Sequence, residues 1–334
     1  MNPYRVRVGL AALLVLACVA GTALVARQGP PTPRRPPAGQ SGPWDNDILV
    51  FHIDRQGRSN RLAAFERAGV STLARMKDGR FIAAHQHFPA DSDADFDKVA
   101  VHFSSDEGKS WDKAQVVRLT GLPAGMRFPF DPTLVPLPDG RLRMYFTSLP
   151  VGPLGPGAAG RVPAIYSAVS SNGIDYDVEP GLRFGIDGRP VIDCAVVLHQ
   201  GVFHLYSPDN GPMDPQQPGQ PPRFGSRPNF GVGYHATSPD GLTFTRVDDV
   251  HVDGQRNWLG AAYSDGRTIA FFGTGQGVWT ATSANGASWK LTGSLPIPGA
   301  DPGAVPTKDG GWLVSVTGPP TRTERGSKGA RPSF

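Results

Sequence analysis

A repeated two-strand unit constrains the fold of this chain more than any other feature. The clearest copy is FDPTLVPLPDGRLRMYFTS, at residues 130–148. Its Pro138-Asp139-Gly140 step predicts a tight turn, because glycine accepts the positive φ that such a turn requires. The apolar and polar residues after the turn alternate, which is typical of a β-strand. Four further copies occupy residues 71–88, 193–209, 259–275 and 301–318.

A second hairpin follows four of the five copies. Each begins with a strand, continues with a Ser/Thr-Ser-x-x-Gly turn and ends on an aromatic residue; the four lie at residues 99–111, 164–176, 232–244 and 277–289. Two hairpins make four antiparallel strands, which is one blade of a β-propeller. Five copies predict an all-β propeller of five four-stranded blades. The fifth copy lacks its second hairpin, so we expect a strand at residues 48–53 to complete that blade.

Composition agrees with many short strands and excludes some functions. The 42 glycines and 34 prolines among 334 residues sit at turns between apolar runs, not in low-complexity tracts. The net charge of +4 comes largely from the two ends of the chain. Inside the repeats there is no interleaved stripe of basic and aromatic residues, which argues against nucleic-acid binding. Of the two cysteines, Cys18 precedes the repeats, and Cys194 is interpreted as a small buried hydrophobe.

The chain divides into four segments. Residues 1–28 form an export segment, because Arg5 and Arg7 precede an apolar run that is long for a signal peptide and just long enough to span a bilayer. A cleaved signal peptide and a membrane anchor both stay open; the apolar run continues past Cys18, which argues against lipidation there. We expect a Pro-rich linker, the propeller and a disordered basic tail at residues 29–46, 47–320 and 321–334. The protein is predicted to be exported, whether extracellular, periplasmic or membrane-tethered outside the cytoplasm.

The turn of the second hairpin carries a recognisable motif. SSDEGKSW, at residues 104–111, resembles the Asp-box, or bacterial neuraminidase repeat, and the equivalent segments of the other copies are variants of it. Its Ser and Asp side chains hydrogen-bond turn backbone, and its aromatic ring packs between sheets. The resemblance implies that these turns lie on the outer rim, away from any ligand. We therefore interpret four motif residues as structural: Asp106, Trp111, Asp240 and Trp289.

The first hairpin resembles a different group of proteins. Strands that open with Asp-Pro are similar to those of the five-bladed glycosidases that act on arabinan, xylan and fructan, whereas sialidases have six blades, the alternative for this chain. The resemblance implies carboxylates at the starts of innermost strands, around a central funnel. Asp131, Asp193 and Asp301 occupy such positions. Convergent carboxylates raise one another's pKa, so the three are candidate base, acid and pKa modulator, with roles unassigned. Ordinary turn chemistry is the competing interpretation.

Other polar residues are expected near the funnel. The ends of second strands should face it, which selects His85, His87 and Asp209, while Arg127 and Arg189 lie upstream of two of the aspartates. Trp258 is a candidate aromatic contact for a bound sugar. The His-x-His pair lies on one face of a strand but has no third ligand in the sequence, so no metal site is predicted. No cofactor is predicted either, and a funnel cation such as calcium is left open.

Two departures bear on catalysis. The related five-bladed enzymes use a glutamate as general acid, and none of the four glutamates, Glu66, Glu107, Glu179 and Glu324, has a good position for it. Sialidases use three arginines and a Tyr–Glu pair, for which no glutamate is apparent. The leading hypothesis is an exported monomeric glycosidase of sialidase-like or arabinanase-like type, in contact with a membrane if the N-terminal segment is uncleaved. The alternatives are a non-catalytic propeller that binds a glycan or a protein, and a scaffold with a merely polar funnel.

Overall fold

Short strands joined by tight turns account for nearly all regular structure in the described part of the chain. The computed structural model describes residues 42–150, 162–213 and 227–321. The predicted export segment, the linker up to residue 41 and the tail from residue 322 lie outside these ranges, as do parts of two insertions, at residues 151–161 and 214–226. Within the three ranges, no helix is long and apolar enough to cross a bilayer.

The described residues contain one 3-10 helix, Pro43–Asp45, and 22 strands. In chain order the strands are β1 (Asp47–Ile53), β2 (Ser59–Phe65), β3 (Ala68–Arg75), β4 (Phe81–His87), β5 (Lys98–Ser104), β6 (Gln115–Val116), β7 (Arg118–Thr120), β8 (Phe130–Pro136), β9 (Leu142–Ser148), β10 (Ala164–Ser170), β11 (Asp175–Val178), β12 (Ala195–His199), β13 (Val202–Pro208), β14 (Val232–Ser238), β15 (Thr245–Arg246), β16 (Val250–His251), β17 (Asn257–Ser264), β18 (Ile269–Gly275), β19 (Gly277–Ser283), β20 (Lys290–Leu295), β21 (Ala300–Pro306) and β22 (Trp312–Gly318).

Five sheets confirm the predicted five-bladed propeller. Blade 1 has the order β3-β4-β5-β6, and blade 2 has β8-β9-β10-β11 with β7 added in parallel to β11. Blade 3 has β12-β13-β14, where β15 and β16 both pair with β14, and blade 4 has β17-β18-β19-β20. Blade 5 has β21-β22-β1-β2. Apart from the β7–β11 pair, neighbouring strands are antiparallel, as hairpins require.

The ring is closed by strands from both ends of the repeat region. β1 pairs with β22 over seven residues, from Asp47 opposite Gly318 to Ile53 opposite Trp312, which confirms the expected closing strand. β2 then adds a fourth strand that the sequence analysis did not predict. Alternate residues of β1 enter different cores, with Ile48 packing toward blade 1 and neighbouring residues toward blade 4. The closing strand is therefore buried on both faces.

The five innermost strands surround an axial channel that is blocked partway. One apolar side chain from each blade lines both a cavity at the starts of these strands and a second cavity of about 400 Å³ at their ends. The five residues are Leu73, Leu134, Val196, Ala262 and Ala304. This layer separates the polar end of the channel from an apolar one.

The four Asp-box-like turns share one hydrogen-bond pattern. In the first, the Ser104 hydroxyl donates to Asp106 (2.9 Å) and accepts from the Gly108 amide (2.9 Å). Ser170, Ser238 and Ser283 repeat it with an Asn or Asp two residues on and a glycine amide. These turns follow third strands, so they lie at the opposite end of the blades from the starts of the innermost strands. That position supports a structural interpretation of the four motif residues, with Trp111 packed on Phe65 and Trp289 on Tyr206.

Candidate active site

The starts of three innermost strands bring three carboxyl groups together on the propeller axis. Asp131, Asp193 and Asp301 line one cavity of about 30 Å³. Val70 and Leu259 line it from blades 1 and 4. The volume accommodates about two water molecules, so a larger ligand would present only its reacting atoms to the carboxyls.

The backbone at these positions adopts the left-handed region. The φ angles of Asp131, Asp193 and Asp301 are 51°, 59° and 50°, and that of Val70 is 46°. The strand register shifts there as well, at Phe130/Thr133 in blade 2 and at Ala300/Gly303 in blade 5. Valine is poorly suited to this conformation, whereas aspartate tolerates it better. The bulged start is thus a property of the blades, and aspartate at three of them makes the cavity acidic.

Threonines at the ends of second strands tie these starts to the preceding blade. The Asp193 amide donates to Thr147 Oγ1 (3.1 Å), the Asp301 amide to Thr274 Oγ1 (2.9 Å) and the Val70 amide to Thr317 Oγ1 (2.9 Å). Thr147 and Thr317 were not among the residues predicted from sequence. A signal was present, because a threonine one residue before the end of the second strand recurs in three of the five copies.

Burial is the main reason that the pKa values of the three carboxyls are raised, and neighbouring groups add to or oppose it to different extents. Burial raises the pKa of Asp131 to about 7, with Asp301 adding to the effect and Arg127 opposing it. Burial also raises the pKa of Asp301 to about 6, against a hydrogen bond from Thr317. Burial, followed by the charges of Asp131 and Asp301, raises the pKa of Asp193 well above its usual range. Its Oδ1 is buried without a hydrogen-bond partner, as suits a carboxyl that keeps its proton.

The two predicted arginines lie at the same end of the propeller, but each is already paired. Arg127 Nη2 lies 2.7 Å from Asp97 Oδ2. Arg189 Nη2 lies 2.6 Å from Asp209 Oδ1, which also accepts a 2.5 Å hydrogen bond from Tyr234. Burial raises the pKa of Asp209, but the hydrogen bonds from Tyr234 and Arg189 outweigh it and lower the pKa overall. Neither pairing was predicted from the sequence.

Three predicted binding residues lie away from the cavity. His85 and His87 line a groove of about 500 Å³ between blades 5 and 1, together with His102. Trp258 is fully buried, with its ring 4.8 Å from that of Phe271. Side chains on second strands point toward neighbouring sheets rather than to the axis. This explains why His85 and His87 lie in the groove between blades and not at the cavity. Their binding roles therefore stay predictions that this placement does not favour.

The buried histidines of this groove predict that the protein loses stability as the pH becomes acidic. Burial lowers the pKa of His85 and His102, and lowers that of His87 to about 4 from 6.5, while Asp91 and Asp95 partly oppose the shift of His87. The pKa of His87 is lower in the folded than in the unfolded protein, so protonation of this histidine favours unfolding. The stability that the neutral imidazole contributes is therefore complete above about pH 6.5 and is lost as pH falls toward 4. We expect the free energy of unfolding of the His87→Gln variant to fall less steeply across this window than that of the wild type.

Urea denaturation at half-unit intervals from pH 7.5 to 4 measures this difference. The matched control is His251→Gln, which makes the same replacement at an exposed histidine. Equal slopes for His87→Gln and wild type would contradict the prediction. The comparison between variants removes the titration of the acidic cavity, which both proteins share.

Neither a metal site nor a reactive thiol is evident at this end of the molecule. Across the three described ranges, no group of three or more His, Cys, Asp or Glu side chains has the geometry to hold a metal ion. Cys194 lines the cavity but is 4 % exposed and packs with the core between blades 2 and 3. Burial raises the pKa of its thiol, which keeps it neutral.

Comparison with known proteins finds similarity only to solved structures of low sequence identity. The sequence matches no protein-family profile and no curated protein. One similar solved structure is a Hadza microbial sialidase, with 13% identity over 81% of this chain and 63% of that chain and a TM-score of 0.46. Another is a thermostable family-43 glycoside hydrolase, with 11% identity over 79% of this chain and 96% of that chain and a TM-score of 0.48. A third is the GH43_1 enzyme from Xanthomonas citri complexed with xylotriose, with 15% identity over 75% of this chain and 87% of that chain and a TM-score of 0.49. These values are too low to transfer an activity, and the chain spans less than two thirds of the sialidase's length.

Proposed function

We propose that this chain is a glycoside hydrolase whose reacting groups are Asp131, Asp193 and Asp301. The observation that carries the proposal is their convergence, from three blades, on one water-sized cavity in which burial raises their pKa values toward or above neutrality. Glycoside hydrolysis needs one carboxyl that donates a proton and another that is ionised. Such pairs arise where the environment shifts neighbouring carboxyls to different pKa values.

The differences among the three carboxyls support distinct roles. Asp193, whose pKa is raised well above its usual range and which has an unpartnered oxygen, is the general acid that protonates the glycosidic oxygen as the C–O bond breaks. Asp301, with a pKa of about 6, is ionised at neutral pH and accepts a proton from the attacking water. Asp131, with a pKa of about 7, is partly ionised at neutral pH, and its charge raises the pKa of Asp193.

We assign the acid role to an aspartate because none of the three glutamates in the described ranges lines the cavity. Glu107 is paired with Arg75 (2.9 Å), and Glu179 accepts a hydrogen bond from Arg143 (2.9 Å). Glu66 lines the histidine groove. The fourth, Glu324, is not among the described residues. This differs from the glutamate acid that the resemblance to five-bladed glycosidases implies.

The charges at the cavity favour a neutral sugar over an acidic one. A sialoside carboxylate needs unpaired arginines, and Arg127 and Arg189 are each neutralised by an aspartate. The carboxyls of the cavity would repel a further negative charge. An arabinanase-like activity is therefore favoured over a sialidase-like one. The apolar run at residues 8–26 supports export and action on glycans outside the cytoplasm.

Hydrolysis of aryl glycosides by the purified full-length protein tests the proposal. We expect turnover of a neutral substrate, such as an arabinofuranoside or a xyloside, and none of an aryl sialoside. Because the base must be ionised, kcat/KM should fall about tenfold per pH unit below the pKa of about 6 of Asp301. Turnover that is unchanged from pH 7 to 4 would contradict these roles.

A glycan-binding module is the second candidate. A cavity of about 30 Å³ cannot enclose a sugar ring, which favours this alternative over hydrolysis if the glycan binds outside the cavity, away from the three carboxyls. Absence of turnover on the whole panel, together with retention on a glycan array, would replace the hydrolase by this alternative.

A further inference from the structure

We propose that acidic pH releases β2, the outermost strand of blade 5, from blade 1 by protonating the histidines of the groove between these blades. The proposal does not depend on the hydrolase function. Phe65 is the buried residue of β2, at 6 % exposed, while the rest of the strand is exposed or half-buried. Its ring stacks on that of His102 in β5, with a centroid distance of 4.0 Å and an angle of 13°. Phe65 thus supplies the buried contact between this strand and blade 1.

The histidine at this contact departs from the pattern of the repeat. Two residues before the hydrogen-bonding serine of each Asp-box-like turn, the other blades have alanines that are at most 1 % exposed: Ala168, Ala236 and Ala281. Blade 1 has His102 at this position, so the fold of a blade does not require an imidazole there. His85 likewise stands where blades 2 and 3 have the fully buried Phe146 and Tyr206. Burying an imidazole in place of an apolar side chain is unfavourable, which points to another role for both histidines.

Hydrogen bonds fix the tautomer of both rings. Nδ1 of His102 lies 2.7 Å from the carbonyl oxygen of Asp112, and Nδ1 of His85 lies 2.9 Å from that of Gln86. A carbonyl oxygen only accepts, so each Nδ1 carries the proton of the neutral ring and each Nε2 has none. Both Nε2 atoms are buried without a hydrogen-bond partner. A second proton on either ring would therefore have neither water nor an acceptor until the groove opens.

The histidines also oppose protonation of one another. The ring centroid of His85 lies 5.1 Å from that of His102 and 5.7 Å from that of His87. At such distances a charge on one ring disfavours a charge on the next. Burial lowers the pKa of all three histidines, and the charge of His102 further lowers the pKa of the other two. Protons that bind to this cluster therefore favour an open, hydrated groove.

Nearby carboxylates reduce this effect without cancelling it. Asp112 raises the pKa of His102, and Asp91 and Asp95 raise that of His87, but burial outweighs them at both rings. Two groups of opposite charge, Glu66 and Lys109, also line the groove. The face of Phe65 attracts a charged imidazole as well, although His102 can keep this contact only while its Nε2 stays out of water.

Uncharged contacts hold the rest of the junction. Near the axis the Val70 amide donates to Thr317 Oγ1 (2.9 Å), and the Ser71 hydroxyl donates to Ser315 Oγ (2.7 Å). None of these groups titrates. β1 also pairs with β22 over seven residues. The release is therefore confined to β2, and the ring of blades stays closed.

Hydrogen exchange of the full-length protein, followed by mass spectrometry at pH 7.5 and pH 5, tests the proposal. For His87 the pKa is 6.5 when exposed and about 4 in the closed groove, so closure is stabilised above about pH 6.5 and loses this stabilisation as pH falls. After correction for intrinsic rates, residues 59–66 should exchange at least about tenfold faster at pH 5. β13 of blade 3 should keep its protection, and return to pH 7.5 should restore that of β2.

Variants that carry the residues of other blades locate the response. His102→Ala and His85→Phe should each reduce the acceleration in β2. The matched control is His235→Val, which removes a buried histidine of blade 3 whose pKa is also lowered to about 4, and it should keep the wild-type response.

Three results would overturn the proposal. They are no acceleration in β2 of the wild type, equal acceleration in all five blades, and an unchanged β2 response in His102→Ala. If His102→Ala does not fold, His85→Phe decides the third point.

Discussion

Replacement of Asp193 by asparagine should lower kcat/KM for a glycoside with a poor leaving group by about 10²–10⁴-fold, the usual contribution of a general acid. The amide cannot donate the proton that the leaving oxygen needs. The fold should persist, because asparagine tolerates the left-handed φ of 59° at this position. Steady-state kinetics with a panel of aryl leaving groups measures the effect.

The leaving-group dependence distinguishes an acid from a binding residue. A substrate with a very acidic phenol needs little protonation, so the loss in Asp193→Asn should shrink as the leaving group improves. The matched control is Asp139→Asn, an exposed aspartate in the turn between β8 and β9, which should keep wild-type kinetics. A uniform loss across all leaving groups would contradict the acid role of Asp193.

Substitution of Ile48 by alanine should lower the free energy of unfolding by about 2–5 kcal/mol, the range for removing a large buried aliphatic side chain. Ile48 is 0 % exposed in β1 and packs with Phe65, Leu73 and Phe81, which belong to blades 5 and 1. The change therefore weakens the seam at which the ring closes. Urea denaturation followed by tryptophan fluorescence measures it.

A surface substitution in the same blade provides the control. Arg61→Ala, at an exposed position of β2, should change the free energy of unfolding by less than about 0.5 kcal/mol.

Removal of residues 1–65, and with them β1 and β2, should prevent cooperative folding, since blade 5 would lose two of its four strands. A truncated protein with a wild-type transition would show that closure does not depend on these strands.

The acidic cavity carries costs that suggest selection for function. Four non-glycine residues there, the three aspartates and Val70, have left-handed backbone, and three carboxyls are buried together, with the charge of Asp301 raising the pKa of both Asp131 and Asp193. Both features are unfavourable for stability and are commonly found at functional sites. The threonine hydrogen bonds offset part of this cost. A scaffold with a merely polar channel would need neither feature.

Local sequence determined the blades and the acidic residues. Alternation within each strand and glycine at each turn are short-range properties, so five copies of a hairpin predicted five blades. Residues at equivalent positions of a repeat occupy equivalent places around an axis. For that reason the positions of Asp131, Asp193 and Asp301 within their copies were enough to predict their convergence, and a lone first hairpin at the end predicted closure by residues 48–53.

Only the tertiary structure decided which side chains meet between blades. Thr147 and Asp193 are 46 residues apart, and the pairs Arg127–Asp97 and Arg189–Asp209 join segments from different parts of the repeats. Strand alternation tells which face of a sheet a residue occupies but not which neighbouring sheet covers that face. His85 and His87 therefore lie in a groove between blades instead of on the axis. The charge that remains free at the cavity follows from these interblade contacts, and no local pattern in the sequence specifies them.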